Sequence, residues 1–305
     1  MRSLATAVLA VSFASTAALA QVPARPVATL YAQPEGIAIT ENGDIYVSLA
    51  FVGDIVELRK DGSTRLITTL NVGNGFLVGL ALDGRGIIYA ALASFDENAG
   101  VWRVDPRTGT AKLFAPLPFD SLKGVFNALA FDRHGNLYVT DSTGGLVYRV
   151  DCKGRAEVWS DSTLLRGRSD PDPANVFGAN GIVVLRGKVY VAITDANVVV
   201  EIPIRPDGSA GPARDWVQDD SLAGADGLAA DVLGNLYVVS NWLNTVVRVS
   251  PDRRLKTVVA GGLDAPASIA FGRGREWRYL YITNFSWETG IDHIARAKLN
   301  TPGLP

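Results

Sequence analysis

Four oxygen-bearing side chains occupy the same position of a pattern that recurs along the chain. They are Glu35, Asn127, Asn180 and Asp226, and each stands at the start of a short apolar run typical of a buried strand. Two carboxylates brought together repel one another unless a cation lies between them. Carboxylate and amide oxygens are hard ligands, which favour Ca²⁺, with Mg²⁺ or Mn²⁺ as alternatives, over zinc. The four residues therefore predict a divalent-cation site.

The pattern that carries these residues occurs six times. Each copy combines a small residue, an alternating apolar strand, a Gly-containing turn and an aliphatic residue followed by Tyr. Val78 and Ala267 hold the ligand position in the two other copies. The copies read EGIAITENGDIYVS, VGLALDGRGIIYAA, NALAFDRHGNLYVT, NGIVVLRGKVYVA, DGLAADVLGNLYVV and ASIAFGRGREWRYLYIT.

Further strands follow each copy, such as GVWRVDPRTG and then AKLFA, and Gly, Pro and Asp punctuate them as in antiparallel hairpins. Four strands in about 40 to 50 residues match one blade of a β-propeller. The sequence thus predicts an all-β, six-bladed β-propeller of roughly 24 strands. The last copy lacks a fourth strand, so we expect residues 26–32, PVATLYA, to complete the last blade and close the ring. Closure would bring the six equivalent positions together beside the central channel.

Residues 1–20 have the character of a secretory signal peptide, with one Arg, an Ala-rich apolar run and the ending Ala18-Leu19-Ala20. We expect cleavage before Gln21, a periplasmic or secreted protein, and one propeller domain over residues 21–305. No other apolar run approaches the roughly 20 residues of a membrane span, so no membrane partner is expected.

Composition excludes several function classes. The 29 Lys and Arg residues balance 31 Asp and Glu residues, which is not the basic surplus of a nucleic-acid binder. Cys152 is the only cysteine, so no disulfide forms within the chain. No G-x-S-x-G elbow is present, and neither His134, in a turn, nor His293, on the final strand, is expected at the metal face. A Ser-His-Asp or Cys-His nucleophile is therefore not predicted.

The order PEG, FNALAF, ANGI, ADGLA, with a candidate ligand in each, resembles the SMP-30/gluconolactonase/LRE-like family, whose metal site is related to those of paraoxonases and diisopropylfluorophosphatase. The resemblance extends over the repeats of the whole mature chain. It implies a six-bladed propeller, a divalent ion that is usually Ca²⁺, and hydrolysis of a lactone or related ester. The His pair of paraoxonases has no counterpart here.

A metal-dependent route needs a base for the attacking water. Asp226 is the first choice by its position and by the resemblance, although a carboxylate that binds a cation is a weak base unless one oxygen faces the water. Asp141, which ends a strand in YVTDS, is the reserve candidate; a role in its own turn is the alternative.

Loops on the same face are expected to form the walls of a substrate pocket, because aromatic groups beside a polar centre suit a small, partly apolar ligand. Residues 160–178, with repeated Asp-Pro steps, could form a lid over the metal. The predicted pocket residues are Phe95, Asn241, Trp242, Asn284, Phe285 and Trp287.

Other functions fit the same pattern. An open cation site could also support phosphotriester hydrolysis. A metal that only braces the blades would leave a propeller that binds a sugar, peptide or protein without catalysis. Strictosidine synthase is similar at the level of the fold, but the four candidate cation ligands argue against its chemistry here. The sequence leaves the substrate, the choice of ion and the oligomeric state open.

Overall fold

The computed structural model describes residues 21–119, 124–169 and 176–304, and these fold into six four-stranded antiparallel sheets. The sheets follow one another along the chain, which confirms the six-bladed β-propeller and its 24 strands. The predicted signal peptide, residues 1–20, lies outside the described residues. Within the described ranges, no helix is long and apolar enough to cross a membrane.

Blades 1 to 3 are each built from four consecutive strands. Blade 1 comprises β2 (Pro34–Ile39), β3 (Ile45–Leu49), β4 (Asp54–Leu58) and β5 (Thr64–Thr69). Blade 2 comprises β6 (Phe76–Leu82), β7 (Ile88–Ala93), β8 (Gly100–Val104) and β9 (Ala111–Pro116). Blade 3 comprises β10 (Phe126–Phe131), β11 (Leu137–Asp141), β12 (Leu146–Val150) and β13 (Ala156–Ser160).

Blades 4 and 5 repeat this order, and blade 6 combines both ends of the chain. Blade 4 comprises β14 (Ala179–Leu185), β15 (Lys188–Ile193), β16 (Val198–Pro203) and β17 (Arg214–Gln218). Blade 5 comprises β18 (Ala225–Ala230), β19 (Leu236–Ser240), β20 (Thr245–Val249) and β21 (Leu255–Ala260). Blade 6 comprises β22 (Pro266–Phe271), β23 (Tyr279–Asn284), β24 (His293–Lys298) and β1 (Arg25–Thr29). Short 3₁₀ turns lie at Thr163–Leu165, Thr194–Ala196, Asp220–Leu222 and Gly274–Glu276.

The N-terminal strand closes the ring as expected from the sequence. β1 pairs antiparallel with β24, so that Arg25 lies opposite Arg296 and Thr29 opposite His293. Blade 6 thereby gains the outer strand that the sixth repeat lacks, and both ends of the chain are joined in one sheet. The first strand of each blade contacts the first strand of the next, and β22 contacts β2. These six inner strands surround the channel.

The second strand of every blade carries the recurring Tyr, and its position explains that recurrence. All six Tyr side chains are buried between blades. In blade 5 the Tyr237 hydroxyl donates to Asp231 Oδ2 at 3.0 Å, and that carboxylate also accepts from Asn235. In blade 3 the Tyr138 ring packs edge-on against Trp159 of the outer strand. The six recurring Tyr residues therefore belong to the core between the blades.

Candidate metal and active site

A β-bulge lies at the candidate ligand position in each inner strand. In blade 1, Glu35 and Gly36 together oppose the single residue Ser48 of β3, and the register shifts there. The other five blades shift register at the equivalent residues. A bulge bends its strand and re-aims the side chain it carries. Ring closure thus places the same bulge six times around one axis.

The six equivalent positions of the inner strands are here called the column: Glu35, Val78, Asn127, Asn180, Asp226 and Ala267. Close approach of neighbouring blades explains the Gly that follows most of the column residues. A Cβ atom at Gly181 would lie 2.2 Å from the carbonyl oxygen of Asp226 in the next blade. A Cβ atom at Gly36 would lie 2.5 Å from the carbonyl oxygen of Val78. Real Cβ atoms do not come this close to backbone, so the Glu-Gly, Asn-Gly and Asp-Gly steps reflect the tightness of the inner ring.

Hydroxyl groups on the second strands join adjacent blades at the height of the bulges. Thr140 Oγ1 accepts from the Ala128 N–H at 2.9 Å and donates to the Asn180 carbonyl at 2.7 Å. Thr283 Oγ1 likewise donates to the Glu35 carbonyl, at 2.8 Å. These bonds satisfy backbone groups that the bulges remove from the sheet ladder. They also hold the backbone of the column residues in place.

The two column Asn side chains are oriented by hydroxyls that the sequence analysis did not identify. Asn127 Nδ2 donates to Ser142 Oγ at 3.1 Å, and Asn180 Nδ2 donates to Thr194 Oγ1 at 3.0 Å. Ser142 and Thr194 occupy equivalent positions, just beyond the second strands of blades 3 and 4. Each amide nitrogen thus has a hydroxyl partner in its own blade, which fixes the orientation of the amide. Outer groups that orient ligands in this way tune metal sites.

The two column carboxylates interact electrostatically across the channel. Burial raises the pKa of Glu35 from 4.5 to about 7. Burial and, secondly, the negative charge of Glu35 raise the pKa of Asp226 well above 3.8, against hydrogen bonds from the Gly227 N–H and the Asn180 side chain. Glu35 is in blade 1 and Asp226 in blade 5, which are not neighbours. The charge interaction therefore acts across the axis of the ring.

The chemistry of this group fits a hard divalent cation. Asn180 Oδ1 is buried and has no hydrogen-bond partner among the described residues, as expected of an oxygen that serves a ligand. Two facing carboxylates and two amide oxygens supply four hard donors, which leaves room for water or substrate on a Ca²⁺ ion. In the described part of the chain, no three His, Cys, Asp or Glu side chains cluster in a metal-binding arrangement. The amides of Asn127 and Asn180 are thus essential to this donor set.

Asp141 is engaged in its own turn. It is 2% exposed, and its Oδ1 accepts from the Gly144 N–H at 2.9 Å and from Thr143 Oγ1 at 3.3 Å. Burial raises the pKa of Asp141, and these hydrogen bonds oppose the rise. The next residue, Ser142, contacts the Asn127 amide, so Asp141 borders the site without belonging to the column. Its contacts match the alternative role in a turn.

Four of the six predicted pocket residues present apolar surface on the loops that follow the second strands. Trp287 is 70% exposed, Trp242 56% and Phe95 41%, whereas Phe285 is partly buried. Phe285 contacts Trp287 edge-on, with ring centroids 6.0 Å apart. These aromatic side chains surround the end of the channel where the column lies.

The two predicted Asn residues of the pocket have structural contacts. Asn241 Nδ2 donates to the Pro266 carbonyl in blade 6 at 2.9 Å. Asn284 is fully buried, and its amide accepts from the Asp264 N–H at 3.0 Å and donates to the Ile282 carbonyl. Contrary to expectation, Asn284 lies inside blade 6 and not at the pocket wall, because its amide satisfies the backbone of the loop before β22.

One His lies nearer the site than the sequence indicated. His293 starts β24 and pairs with Asn284, which ends β23 on the metal side. The expectation that it is remote from this face was therefore wrong. Its Nδ1 lies 2.9 Å from the Ile291 carbonyl oxygen and 3.2 Å from Ser286 Oγ. His293 thus belongs to the third strand of its blade, outside the inner ring.

The long insertion before β14 is anchored where it is described. The backbone N–H groups of Arg168 and Ser169 donate to the Asp195 carboxylate at 2.9 and 3.2 Å. The Arg168 guanidinium also pairs with Asp215, at 2.8 Å. Residues 170–175 lie outside the described residues. The role of this insertion as a lid stays a prediction.

A cavity at the opposite face of the ring has less distinctive chemistry. A cavity of about 840 Å³ is lined by turns of blades 1 and 2, including Asp83, Arg85, Asp105 and Arg107. These charges pair locally, Arg85 with Asp83 at 3.0 Å and Arg107 with Asp105 at 3.3 Å. The column therefore remains the stronger candidate site.

Several solved structures share this fold. Regucalcin from Agrobacterium tumefaciens strain C58, described as a calcium-binding protein, is 16% identical, with a TM-score of 0.73 over 93% of this chain and 96% of that one. A gluconolactonase from Xanthomonas campestris is 18% identical, with a TM-score of 0.71 over 96% and 94%. A luciferin-regenerating enzyme is 15% identical, with a TM-score of 0.70 over 93% and 97%. Identities this low establish the fold alone.

Sequence comparison identifies the family. No curated protein matches the chain. The profile of the SMP-30/gluconolactonase/LRE-like region matches residues 95–286, which contain three of the four candidate ligands and the aromatic residues Phe95, Trp242 and Phe285. Because this match covers more than half of the chain, the chain belongs to the SMP-30/gluconolactonase/LRE-like family.

Proposed function

We propose that the protein is a Ca²⁺-dependent hydrolase of a lactone or related ester. The observation that carries the proposal is the convergence of the Glu35 and Asp226 carboxylates across the channel, beside the unpaired oxygen of Asn180. Such a site is electrostatically unfavourable without a cation and suited to one of hard character. Membership of the family and the fold shared with a gluconolactonase support the choice of reaction.

In such a site some residues would bind the cation and others would orient these ligands. Glu35, Asn127, Asn180 and Asp226 would hold the cation, which supplies a positive charge to polarise the carbonyl and stabilise the oxyanion. Ser142 and Thr194 fix the amides, so their oxygens need not reorganise when the cation binds.

Asp226 is the proposed base. Its carboxylate accepts a proton as water attacks the carbonyl carbon, and the proton is then delivered to the ring oxygen as the carbon–oxygen bond breaks. The product is the open hydroxy acid. This role requires one Asp226 oxygen to stay free for water.

The replacement Asp226→Asn tests this role. It preserves an oxygen for the cation and removes the proton acceptor, so we expect kcat to fall by about 10²- to 10⁴-fold while some Ca²⁺ stays bound. Asp141→Asn is the matched control, because Asp141 is a nearby buried carboxylate bonded to its own turn. Activity is measured on sugar, aliphatic and aromatic lactones and a phosphotriester, with Ca²⁺ or a chelator, alongside metal content.

The possible outcomes distinguish the identity of the base, the role of the metal and the presence of hydrolase activity. A larger loss in Asp141→Asn, with metal content intact, would move the base to Asp141. Activity that persists in Asp226→Asn, with lower stability, would assign the metal a bracing role only. A folded, Ca²⁺-loaded wild-type protein that hydrolyses none of these substrates would favour a non-enzymatic binding module.

We further propose that the protein is exported to the periplasm or beyond the cell. The support is the sequence of residues 1–20, with its apolar Ala-rich run and its Ala18-Leu19-Ala20 ending. A calcium-dependent enzyme would be well served by such a compartment, because free Ca²⁺ is scarce in cytosol and regulatory sites there need micromolar or tighter affinity.

A further inference from the structure

Four aromatic side chains form a continuous apolar surface at the metal end of the channel, here named the aromatic wall. Phe51 contacts Phe76 on one side, with ring centroids 6.1 Å apart, and Phe285 on the other, at 5.9 Å. Phe285 in turn contacts Trp287 at 6.0 Å. The wall runs from blade 6 across blade 1 to blade 2. Phe51 and Trp287 remain 57% and 70% exposed, so the surface is open to a ligand.

The wall lies directly beside the proposed cation site. Phe285 is two residues beyond Thr283, whose hydroxyl donates to the Glu35 carbonyl. Phe76 is two residues before the column residue Val78 and packs against it. Both ends of the wall are thus attached to strands that carry the column, on either side of Glu35.

The column is therefore divided into two chemically different halves, and Trp242 of blade 5 is an aromatic side chain beside the more polar one. Along blades 3, 4 and 5 the column offers amides and a carboxylate, and Ser142 and Thr194 lie behind them. Along blades 6, 1 and 2 the column is apolar except for Glu35, and the aromatic wall stands next to it. The column residues in this order are Asn127, Asn180 and Asp226, then Ala267, Glu35 and Val78.

We propose that the substrate is a lactone or ester that carries an aromatic or extended apolar substituent, not a polyhydroxylated sugar lactone. The inference rests on the hydrolase function proposed above and specifies its substrate class. The ester carbonyl lies toward the polar half and the substituent packs against the aromatic wall. Sugar hydroxyls would be desolvated against Phe51, Phe76 and Phe285, which have no polar atoms to receive them.

The loop that carries Trp287 is held in place before any ligand binds. The Asp264 carboxylate is 5% exposed and accepts from the Glu288 N–H at 3.1 Å and from the Thr289 N–H at 2.8 Å. Thr289 Oγ1 donates to the same carboxylate at 2.7 Å. Preformed apolar surfaces bind ligands without the cost of ordering a loop.

Hydrolysis of three lactones tests the inference: δ-valerolactone, its derivative with a phenyl group on the carbon bonded to the ring oxygen, and D-glucono-1,5-lactone. We expect kcat/KM for the phenyl derivative to exceed that for δ-valerolactone by about 10- to 100-fold, from apolar burial of one ring. It should also exceed that for the sugar lactone.

Variants of the aromatic wall test whether it causes the preference for the phenyl lactone over δ-valerolactone. Phe51→Ala and Trp287→Ala should each lower the ratio of kcat/KM for the phenyl lactone over δ-valerolactone by about 10-fold, and Phe51→Leu should recover part of it. Trp277→Ala is the matched control, because Trp277 is 41% exposed but follows the 3₁₀ turn between β22 and β23, at the opposite face. It should keep the wild-type ratio.

Calorimetric binding of the corresponding phenyl-substituted δ-lactam, which resists hydrolysis, gives a readout independent of turnover. Binding that weakens about 10-fold in Phe51→Ala, with no lactone hydrolysed, would support the ligand class and contradict the proposed hydrolase function. Lactone hydrolysis that favours the sugar substrate, with a ratio unchanged in both wall variants, would overturn the inference and leave the hydrolase function standing. Hydrolysis of the phenyl lactone with the expected variant ratios would support both.

Discussion

The replacement Glu35→Gln should have opposite effects on the metal-free and the Ca²⁺-bound protein. Among the described residues, the Glu35 carboxylate accepts no side-chain or backbone hydrogen bond, and burial raises its pKa from 4.5 to about 7. That difference corresponds to about 3 kcal/mol of destabilisation when the carboxylate is ionised. Gln has the same shape without the charge, so it should relieve this cost and the repulsion on Asp226.

The sign of the pH dependence follows from proton linkage. Between pH 4.5 and about 7 the folded metal-free protein binds the Glu35 proton and the unfolded chain does not. The free energy of unfolding therefore falls as the pH rises through this window, by up to about 3 kcal/mol, and Glu35 adds no further loss above it. Glu35→Gln should show a shallower fall and, at pH 8, a melting temperature about 5 °C above that of the metal-free wild type.

Calcium should reverse the order of the two proteins. The cation neutralises the facing carboxylates, so the wild type gains stability on binding while the variant loses one charged ligand. We expect Ca²⁺ affinity to fall at least about 10-fold in Glu35→Gln. At saturating Ca²⁺ for the wild type, the wild type should therefore melt at the higher temperature.

The assay is thermal unfolding of both proteins from pH 4.5 to 8, in chelator and in Ca²⁺, with Ca²⁺ affinity from calorimetry. Glu201→Gln is the matched control. Its side chain is 1% exposed, less than the partly buried Glu35, and hydrogen bonds from Lys188, Tyr190 and Arg214 outweigh burial and hold the pKa of Glu201 below its ordinary value. Glu201→Gln should therefore destabilise the protein with and without Ca²⁺.

One outcome would contradict an unfavourable Glu35 charge in the metal-free protein. If Glu35→Gln lowered the melting temperature of the metal-free protein at pH 8 as much as Glu201→Gln does, the Glu35 carboxylate would be a satisfied structural group. The electrostatic argument for a cation at this site would then fail.

Three further predictions follow from the same contacts. Thr194→Val should lower Ca²⁺ affinity about 10- to 100-fold by calorimetry and leave the circular dichroism spectrum unchanged, because it frees the Asn180 amide; an unchanged affinity would contradict the role. Gly181→Ala should destabilise by about 1–3 kcal/mol in denaturant titration, since its Cβ meets the carbonyl of the next blade, whereas Gly84→Ala, with open space around it, should change stability by at most about 0.5 kcal/mol. N-terminal sequencing of protein from the periplasm or medium should begin at Gln21, and a retained residue 1 would contradict export.

The strands and hairpins within each repeat could be predicted from the sequence. Alternating apolar residues and Gly turns specify short antiparallel strands, and six copies specify six blades, because each copy encodes its own hairpins. The missing fourth strand of the last repeat and the strand-like residues 26–32 together predicted ring closure, which β1 and β24 confirm. The shared register of Glu35, Asn127, Asn180 and Asp226 could be aligned for the same reason.

Interactions between blades could not be read in this way, because they join residues that are far apart in sequence and meet only when the ring closes. The Thr283 hydroxyl of blade 6 donates to the Glu35 carbonyl of blade 1, and the pKa of Asp226 depends on Glu35 across the channel. Burial of Asn284 followed from the path of a loop, and Phe51 joined the aromatic wall only because blades 6 and 2 flank it. The shared register of the four candidate ligands is encoded within each repeat and was therefore visible in the sequence. Which of these residues lie close together depends on the closed ring, because a distance across the channel is not a local property of the chain.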